Sequence, residues 1–213
     1  MAVIDPDSRQ LVPGPSPPWN AVARIKCASL GPPCYGTGFF ITPTRLVTAG
    51  HVLHHTGLLG GMAASVVVEL FGTTMAASSW KVHPMWEADQ SYVHDVGYID
   101  LHVQPGVVFS LLGLDSLQPS DLHAPSMIVG HPFNSSETSP KWAKGHVVKY
   151  HQGLAYHDVD TSKGQSGGPL IRNKMNIAFG IHTRDPDANS LSKELGVNVS
   201  VPLSPDLIKF LTG

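Results

Sequence analysis

The chain has 213 residues, with 14 basic and 16 acidic side chains and a formal net charge of −2. This balance gives no indication of binding to nucleic acid or to an anionic membrane, and no apolar run reaches the ~18 residues of a transmembrane helix. With 21 glycines, 18 prolines and only 14% charged residues, the composition favours short strands joined by tight turns. We therefore expect an all-β protein.

The first 20 residues are rich in proline and predict an extended arm on the surface, residues 1–20. The opening segment, Met1 to Pro6, has neither a basic start nor an apolar core, so it lacks the features of a signal peptide. We expect a secreted protein in its mature form, without its leader; the alternative is a cytoplasmic one.

Alternating and apolar segments then predict about six strands, enough for one small barrel. They lie at residues 22–27, 35–41, 46–48, 65–70, 79–83 and 96–103. A single helical turn is expected at 52–54, and a loop containing Trp86 at 84–92.

Cys27 and Cys34 are the only two cysteines of the chain, and they flank a predicted turn. If the two strands pair, the thiols come within disulfide range, which would suit a secreted protein. The alternative is a pair of free thiols. Their spacing, with no histidine ligand nearby, is not typical of a zinc site.

The stretch 104–124 contains Pro105 and Pro119 and is followed directly by Pro125. It joins the two halves of the chain, with a boundary near residue 110. About six more strands follow, at residues 126–130, 142–150, 154–159, 169–173, 177–182 and 197–200. A C-terminal helix is predicted at 204–211, because Ser204 can cap it and Pro205 suits its first position.

Three motifs indicate nucleophilic chemistry. Ser166 lies among Gly164, Gly167 and Gly168, in a run that could also be an ordinary turn. His51 follows Thr-Ala-Gly, and Asp95 begins the run Asp-Val-Gly-Tyr-Ile. Histidine, then aspartate, then serine is one of the chain orders of a nucleophilic triad.

With these motifs the chain resembles the chymotrypsin-like serine proteases from about residue 21 to its end. The resemblance implies two six-stranded antiparallel barrels and a C-terminal helix. The first barrel (21–110) would carry His51 and Asp95, and the second (111–213) would carry Ser166.

The chemistry assigns a role to each of these residues. A serine hydroxyl needs a base near neutral pH, and His51 can accept and return a proton. Asp95 would orient the imidazole without taking the proton. The backbone N–H groups of Gly164 and Ser166 would bind the oxyanion. His54 and His55 are the alternatives to His51. Asp89 and Asp100 are the alternatives to Asp95. None of the four has the same flanking motif.

The segment Ile-His-Thr ending at Thr183 resembles the pocket of the glutamyl endopeptidases (the V8-like group). In that group a histidine at the position of His182 and a threonine at that of Thr161 bind the substrate carboxylate, which implies cleavage after Glu or Asp. The arm is also similar to the mature N-terminus of these enzymes, where the amine of a valine, here Val3, lies near the pocket.

Asp160 points to a different specificity. It lies six residues before Ser166, at the position that makes trypsin select Arg and Lys. We favour an Asp160 turned away from the pocket, which keeps the preference for Glu.

We expect no cofactor and no metal, a protein or peptide substrate, and a monomer that binds neither nucleic acid nor membrane. Two alternatives remain: a catalytically inactive protease fold that serves as a binding module, and an intracellular trypsin-like peptidase with one narrow target.

Overall fold

The computed structural model describes residues 7–29, 33–55, 60–133, 139–172 and 175–213. Val3 and the tip of the turn between the two cysteines lie outside the described residues. None of the helices in the described ranges is long and apolar enough to cross a membrane.

Strands dominate the described part of the chain. In chain order they are β1 (Gln10–Leu11), β2 (Val22–Ala28), β3 (Cys34–Thr42), β4 (Arg45–Thr48), β5 (His54–His55), β6 (Gly61–Met62), β7 (Ser65–Leu70), β8 (Thr73–Val82), β9 (Gly97–Leu101), β10 (Gly113–Leu114), β11 (Pro125–Gly130), β12 (Lys141–His151), β13 (Leu154–His157), β14 (Pro169–Arg172), β15 (Ile177–Arg184) and β16 (Asn198–Pro202). The helices are α1 (Gly50–Leu53), α2 (Pro84–Asp89), α3 (Ser190–Leu195) and α4 (Pro205–Thr212).

The first barrel is closed, with the strand order β2–β3–β4–β9–β8–β7. All of its neighbouring strands run antiparallel. In β7, Val66, Val68 and Leu70 face the interior, while the residues between them are more exposed. This period of two is the pattern of a strand with one buried face.

The second barrel has the order β12–β11–β14–β15–β16–β13, and pairing between β13 and β12 closes the ring. The arm adds β1 to the outer edge of β12. The all-β class and the two six-stranded antiparallel barrels are confirmed. The C-terminal helix is present too, and the side chain of Ser204 accepts a hydrogen bond from the backbone N–H of Leu207 (3.3 Å).

The loop predicted at residues 84–92 is wrong in its first half, because α2 occupies Pro84–Asp89. The side chain of His83 caps this helix by accepting from the N–H of Met85, and Gln90 ends it in a left-handed conformation (φ 56°). Trp86 on this helix is fully buried. The short helix α3 was not predicted either; Asn189 and Ser192 cap it reciprocally.

The stretch that joins the barrels contacts both of them. The N–H of Leu112 donates to the carbonyl of Phe40 in β3 (2.9 Å), whereas Gly113, the next residue, pairs with Ile177 in β15. The two barrels therefore pack at a common seam, and the polar side chains singled out in the sequence lie on either side of it.

Candidate active site

His51 and Asp95 form a tight pair on the first-barrel side of the seam. His51 lies on α1, and Asp95 lies just before β9. The Asp95 carboxylate accepts two hydrogen bonds from His51, one from Nδ1 and one from the backbone N–H, each 2.8 Å long. Asp95 is fully buried, whereas the His51 side chain is 24% exposed. The pairing fixes the ring so that its other nitrogen is free for a different partner.

The loop around the candidate nucleophile Ser166, residues 164–168 (the nucleophile loop), holds its shape through glycine. Gly164 and Gly167 have φ values of 92° and 88°, which side-chain-bearing residues rarely adopt. A Cβ atom at either position would also lie closer than 3.0 Å to neighbouring backbone. Ser166 sits between them at a sharp bend, as the glycine-rich motif predicts.

Thr37 in β3 ties this loop to the first barrel, and sequence reasoning missed it. Its hydroxyl donates to the carbonyl of Gly164 (2.8 Å) and accepts from the N–H of His131 (2.9 Å), while its N–H donates to the carbonyl of Ser166 (2.8 Å). The side chain is fully buried. A threonine between two glycines in an apolar strand is the only signal that the sequence offers for it.

The Ser166 hydroxyl donates to the backbone carbonyl of Thr183 (3.4 Å). No hydrogen bond joins it to His51 in the described chain. The backbone N–H groups of Gly164 and Ser166 make no hydrogen bond to the described residues either, so both donors are available to a guest. The hydroxyl of Thr183 points elsewhere and donates to the carbonyl of Val199 (3.4 Å).

A cleft of about 360 Å³ opens beside Ser166. Its lining is mostly polar and comes from the end of β15 and the loops around it: Tyr92, Ser162, Lys163, Ser166, His182, Thr183, Arg184, Asp185, Asp187 and Ala188.

Two histidines lie together at the side of this cleft. The rings of His157 and His182 meet edge to face, with their centroids 5.5 Å apart, and both are buried. Burial lowers the pKa of His157 to about 3, and the backbone of Val159 offsets this only in part. Burial, then the nearby His157 and His51, hold the pKa of His182 well below 6.5. Both rings are therefore neutral at neutral pH.

This histidine pair belongs to a group of buried polar atoms that lack hydrogen-bond partners of normal geometry among the described residues. The group consists of Nδ1 of His182, both ring nitrogens of His157, the hydroxyl of Thr161 and the hydroxyl of Ser200. Unpaired buried polar groups are rare in folded proteins, because each costs free energy. Such a cluster beside an open cleft is suited to a polar guest.

Asp160 is directed toward the arm. Its Oδ2 atom accepts hydrogen bonds from the N–H of Ser8 (2.7 Å) and from the Ser8 hydroxyl (2.5 Å). Arg9, the next residue of the arm, donates to the hydroxyl of Ser162. The arm thus docks against the segment that precedes the nucleophile loop. In the described ranges no group of three or more His, Cys, Asp or Glu side chains is arranged to hold a metal ion.

Comparisons with known proteins agree with this architecture. Residues 36–181 match the model of the trypsin-like peptidase domain. A comparison with curated protein sequences finds no significant match.

Solved structures with similar folds include a Glu endopeptidase in complex with MPD, with a TM-score of 0.83, 19% identity and coverage of 99% of this chain and 97% of that one. The protease Anisep from Arthrobacter nicotinovorans has a TM-score of 0.75 and 16% identity, with coverage of 95% of this chain and 96% of that one. A collagenase designated HL has a TM-score of 0.73 and 18% identity, with coverage of 92% of this chain and 94% of that one. At these identities the structures share the fold. The match to the family model covers more than half of the chain, so this chain belongs to the trypsin-like peptidase family of serine proteases.

Proposed function

We propose that the chain is a serine endopeptidase in which Ser166 is the nucleophile, His51 the general base and Asp95 the residue that orients His51. The observation that carries the proposal is the His51–Asp95 pair, with two 2.8 Å hydrogen bonds to a fully buried carboxylate, across the seam from a serine in a glycine-bent loop. A buried carboxylate on Nδ1 leaves Nε2 as the proton acceptor.

The reaction begins when the Ser166 hydroxyl leaves the Thr183 carbonyl and donates to Nε2 of His51. His51 takes the hydroxyl proton as the oxygen bonds to the substrate carbonyl carbon. The two unused N–H groups, of Gly164 and Ser166, bind the developing oxyanion. His51 then protonates the leaving amine. In the second half of the reaction, His51 takes a proton from water as the water oxygen bonds to the acyl carbon. It then returns the proton to the Ser166 oxygen as the acyl group leaves.

This function is tested by labelling with a fluorophosphonate probe and by peptide cleavage. We expect the probe to label the wild-type protein at Ser166 and Ser166→Ala not to be labelled. His51→Ala should lose both labelling and cleavage. A wild-type protein that is unlabelled and cleaves no peptide would instead support the inactive binding module.

We further propose that the enzyme cleaves after Glu or Asp. The unpaired Nδ1 of His182 and the unpaired hydroxyl of Thr161 support this, because a carboxylate accepts hydrogen bonds from both kinds of group. An entering carboxylate would also favour the charged form of His182, whose pKa burial otherwise depresses.

The docking of the arm supports the same specificity. Ser8 satisfies Oδ2 of Asp160 with two hydrogen bonds, so this carboxylate is engaged away from the substrate. A basic residue in the pocket would need a free carboxylate there, whereas an acidic one would be repelled by it. The arrangement therefore favours Glu over Lys or Arg.

The specificity test uses peptides that differ only in the residue before the scissile bond: Glu, Asp, Gln, Lys, Arg or Phe. We expect Glu to give the highest kcat/KM. Thr161→Val removes one donor at nearly constant volume, and we expect it to lower the Glu-to-Gln ratio about tenfold or more. Preference for Lys or Arg in the wild-type protein would overturn the assignment of His182 and Thr161 while leaving the peptidase mechanism intact.

A further inference from the structure

Arg184, the last residue of β15, reaches the Asp95 carboxylate across the seam. Its Nη2 atom lies 3.4 Å from Oδ2 of Asp95, the same oxygen that accepts from Nδ1 of His51. The pairing of β15 with β16 shifts in register between His182 and Arg184. Such an irregularity redirects the side chain that follows it, and here it directs Arg184 toward the first barrel.

Two aromatic rings hold the guanidinium in this position. Its Cζ atom lies 4.0 Å from the ring centroid of Tyr92 and 5.6 Å from that of Trp86. The side chain is 24% exposed, so the guanidinium is largely shielded from water. Stacking on Tyr92 leaves the planar edge of the group free to face Asp95.

The charge on Arg184 matters because Asp95 is fully buried. A buried carboxylate without a compensating charge is costly. His51 is neutral whenever it is ready to act as a base, so it supplies hydrogen bonds but no positive charge in that state. Among the described residues, Arg184 is the cation that contacts Asp95.

We propose that Arg184 is a positioning residue for the His51–Asp95 pair, which holds the Asp95 carboxylate in place beneath the imidazole. The inference rests on the proposed peptidase function. It assigns Arg184 no contact with the reacting atoms: the residue acts through Asp95. Neither the motif around His182 nor the triad order points to it, because the contact joins residues 89 positions apart in the chain.

The test compares Arg184→Met, which keeps an unbranched apolar stem, with Arg184→Lys, which keeps the charge. We expect Arg184→Met to lower kcat about tenfold to a hundredfold with little change in KM, as for the loss of a hydrogen bond to a charged group. Arg184→Lys should recover part of that loss. Arg24→Met is the matched control. Arg24 pairs with Glu69 on the first barrel, with 3.6 Å between Nη1 and Oε2, and it does not line the cleft beside Ser166.

A pH profile separates positioning from a merely structural effect. Asp95 contacts His51 directly, Arg184 contacts the same oxygen of Asp95, and His182 and His55 interact with His51 electrostatically over a longer range. Arg184→Met removes a positive charge beside the His51–Asp95 pair, so the acid limb of kcat/KM should move to higher pH in this variant but not in Arg184→Lys. An acid limb that stays in place would overturn the proposal.

Tyr92→Leu keeps the test decisive if Arg184→Met does not fold. Tyr92 is 41% exposed, so its loss leaves the core intact. We expect kcat to fall severalfold, because the guanidinium loses the ring that holds it; an unchanged kcat counts against the proposal. The proposed function is judged separately, by labelling of the wild-type protein. If the wild type is labelled and active and Arg184→Met is equally active, only the inference about Arg184 fails.

Discussion

Thr37 shows how a single buried side chain can govern the nucleophile loop. Its N–H and hydroxyl donate to the carbonyls of Ser166 and Gly164, and the hydroxyl also accepts from His131. Thr37→Val keeps the shape but leaves the carbonyl of Gly164 and the N–H of His131 without this partner. We expect the free energy of unfolding to fall by about 1–3 kcal/mol and kcat to fall more than KM rises. Denaturant titration and initial rates measure both effects.

Thr37→Ser is the control for this prediction, because it keeps the hydroxyl and loses only a methyl group. It should retain most of the wild-type kcat. A Thr37→Val protein with wild-type kcat would show that the loop does not depend on this hydroxyl.

The carboxylate site that we propose at His182 predicts that substrate binding depends on pH. Burial holds its pKa well below 6.5 in the free protein, and a bound carboxylate would raise that pKa. Binding of a Glu substrate then takes up a proton at any pH between the free and bound pKa values. We expect KM for Glu to rise with pH in that window, by at most about tenfold per pH unit, while KM for Gln stays flat. Equal pH dependence for the two substrates would contradict a carboxylate at His182.

The residues that sequence reasoning found and those it missed differ in a physical way. His51, Asp95 and Ser166 each stand in a local motif whose backbone geometry serves the side chain. Thr37 and Arg184 carry no such motif. Thr37 lies 127 positions before its partner Gly164, and only the packing of the two barrels brings them together.

At the level of elements, the pairing of β2 with β3 places Cys27 directly opposite Cys34. Both thiols are free, and burial raises the pKa of Cys27 to about 12 and also raises that of Cys34. Because the thiolate is the reactive form, oxidation should be slow near neutral pH. We expect a disulfide to form under sustained oxidation and to raise stability by about 2–3 kcal/mol, from the entropy of closing a short loop.

Intact mass and thermal melts of oxidised and reduced protein test this prediction, with Cys34→Ser as the control that cannot pair. If both thiols remain open to alkylation in the unfolded, oxidant-treated chain, the pair does not bridge. A bridged pair in protein isolated from its natural source would favour a secreted protein over a cytoplasmic one.

The elements that the sequence did not reveal are short ones fixed by tertiary contacts. Helix α2 has six residues, too few for a clear helical period, and it depends on the burial of Trp86 and the cap from His83. Isolated helices of this length are not stable in water. Helix α4, by contrast, carries a local cap and a proline at its start, so its sequence is sufficient to predict it.

For the whole molecule, periodicity predicts only an all-β chain, and the division into two closed barrels came from the resemblance carried by three motifs. Closure depends on pairings between strands distant in sequence, such as β2 with β7 and β13 with β16. Alternating hydrophobicity cannot specify those pairings. The fold also buries the side chains of His157 and His182, and this burial affects the stability of the protein in acid.

The fold holds His157 and His182 neutral, and this has a cost below neutral pH. The pKa of His157 is about 3 when folded, against 6.5 in the unfolded chain, and that of His182 is lowered in the same direction. Below pH 6.5 the unfolded chain therefore binds protons that the folded chain does not. Stability contributed by these neutral rings is complete above pH 6.5 and is lost as the pH falls toward 3, at up to about 1.4 kcal/mol per pH unit for each histidine.

His157→Gln should make the free energy of unfolding less sensitive to acid, whatever it does to stability at neutral pH. We expect the slope between about pH 6 and about pH 4.5 to decrease by roughly 1 kcal/mol per pH unit. Carboxylates such as Asp7, whose pKa is lowered from 3.8 to about 2, are present in both the variant and the wild type, so their contribution cancels when the two slopes are compared. His146→Gln, at a half-exposed histidine, is the matched control and should keep the wild-type slope. Denaturant titrations across this range measure the slope directly; equal slopes for the His157 variant and the wild type would mean that the buried ring takes up a proton without unfolding.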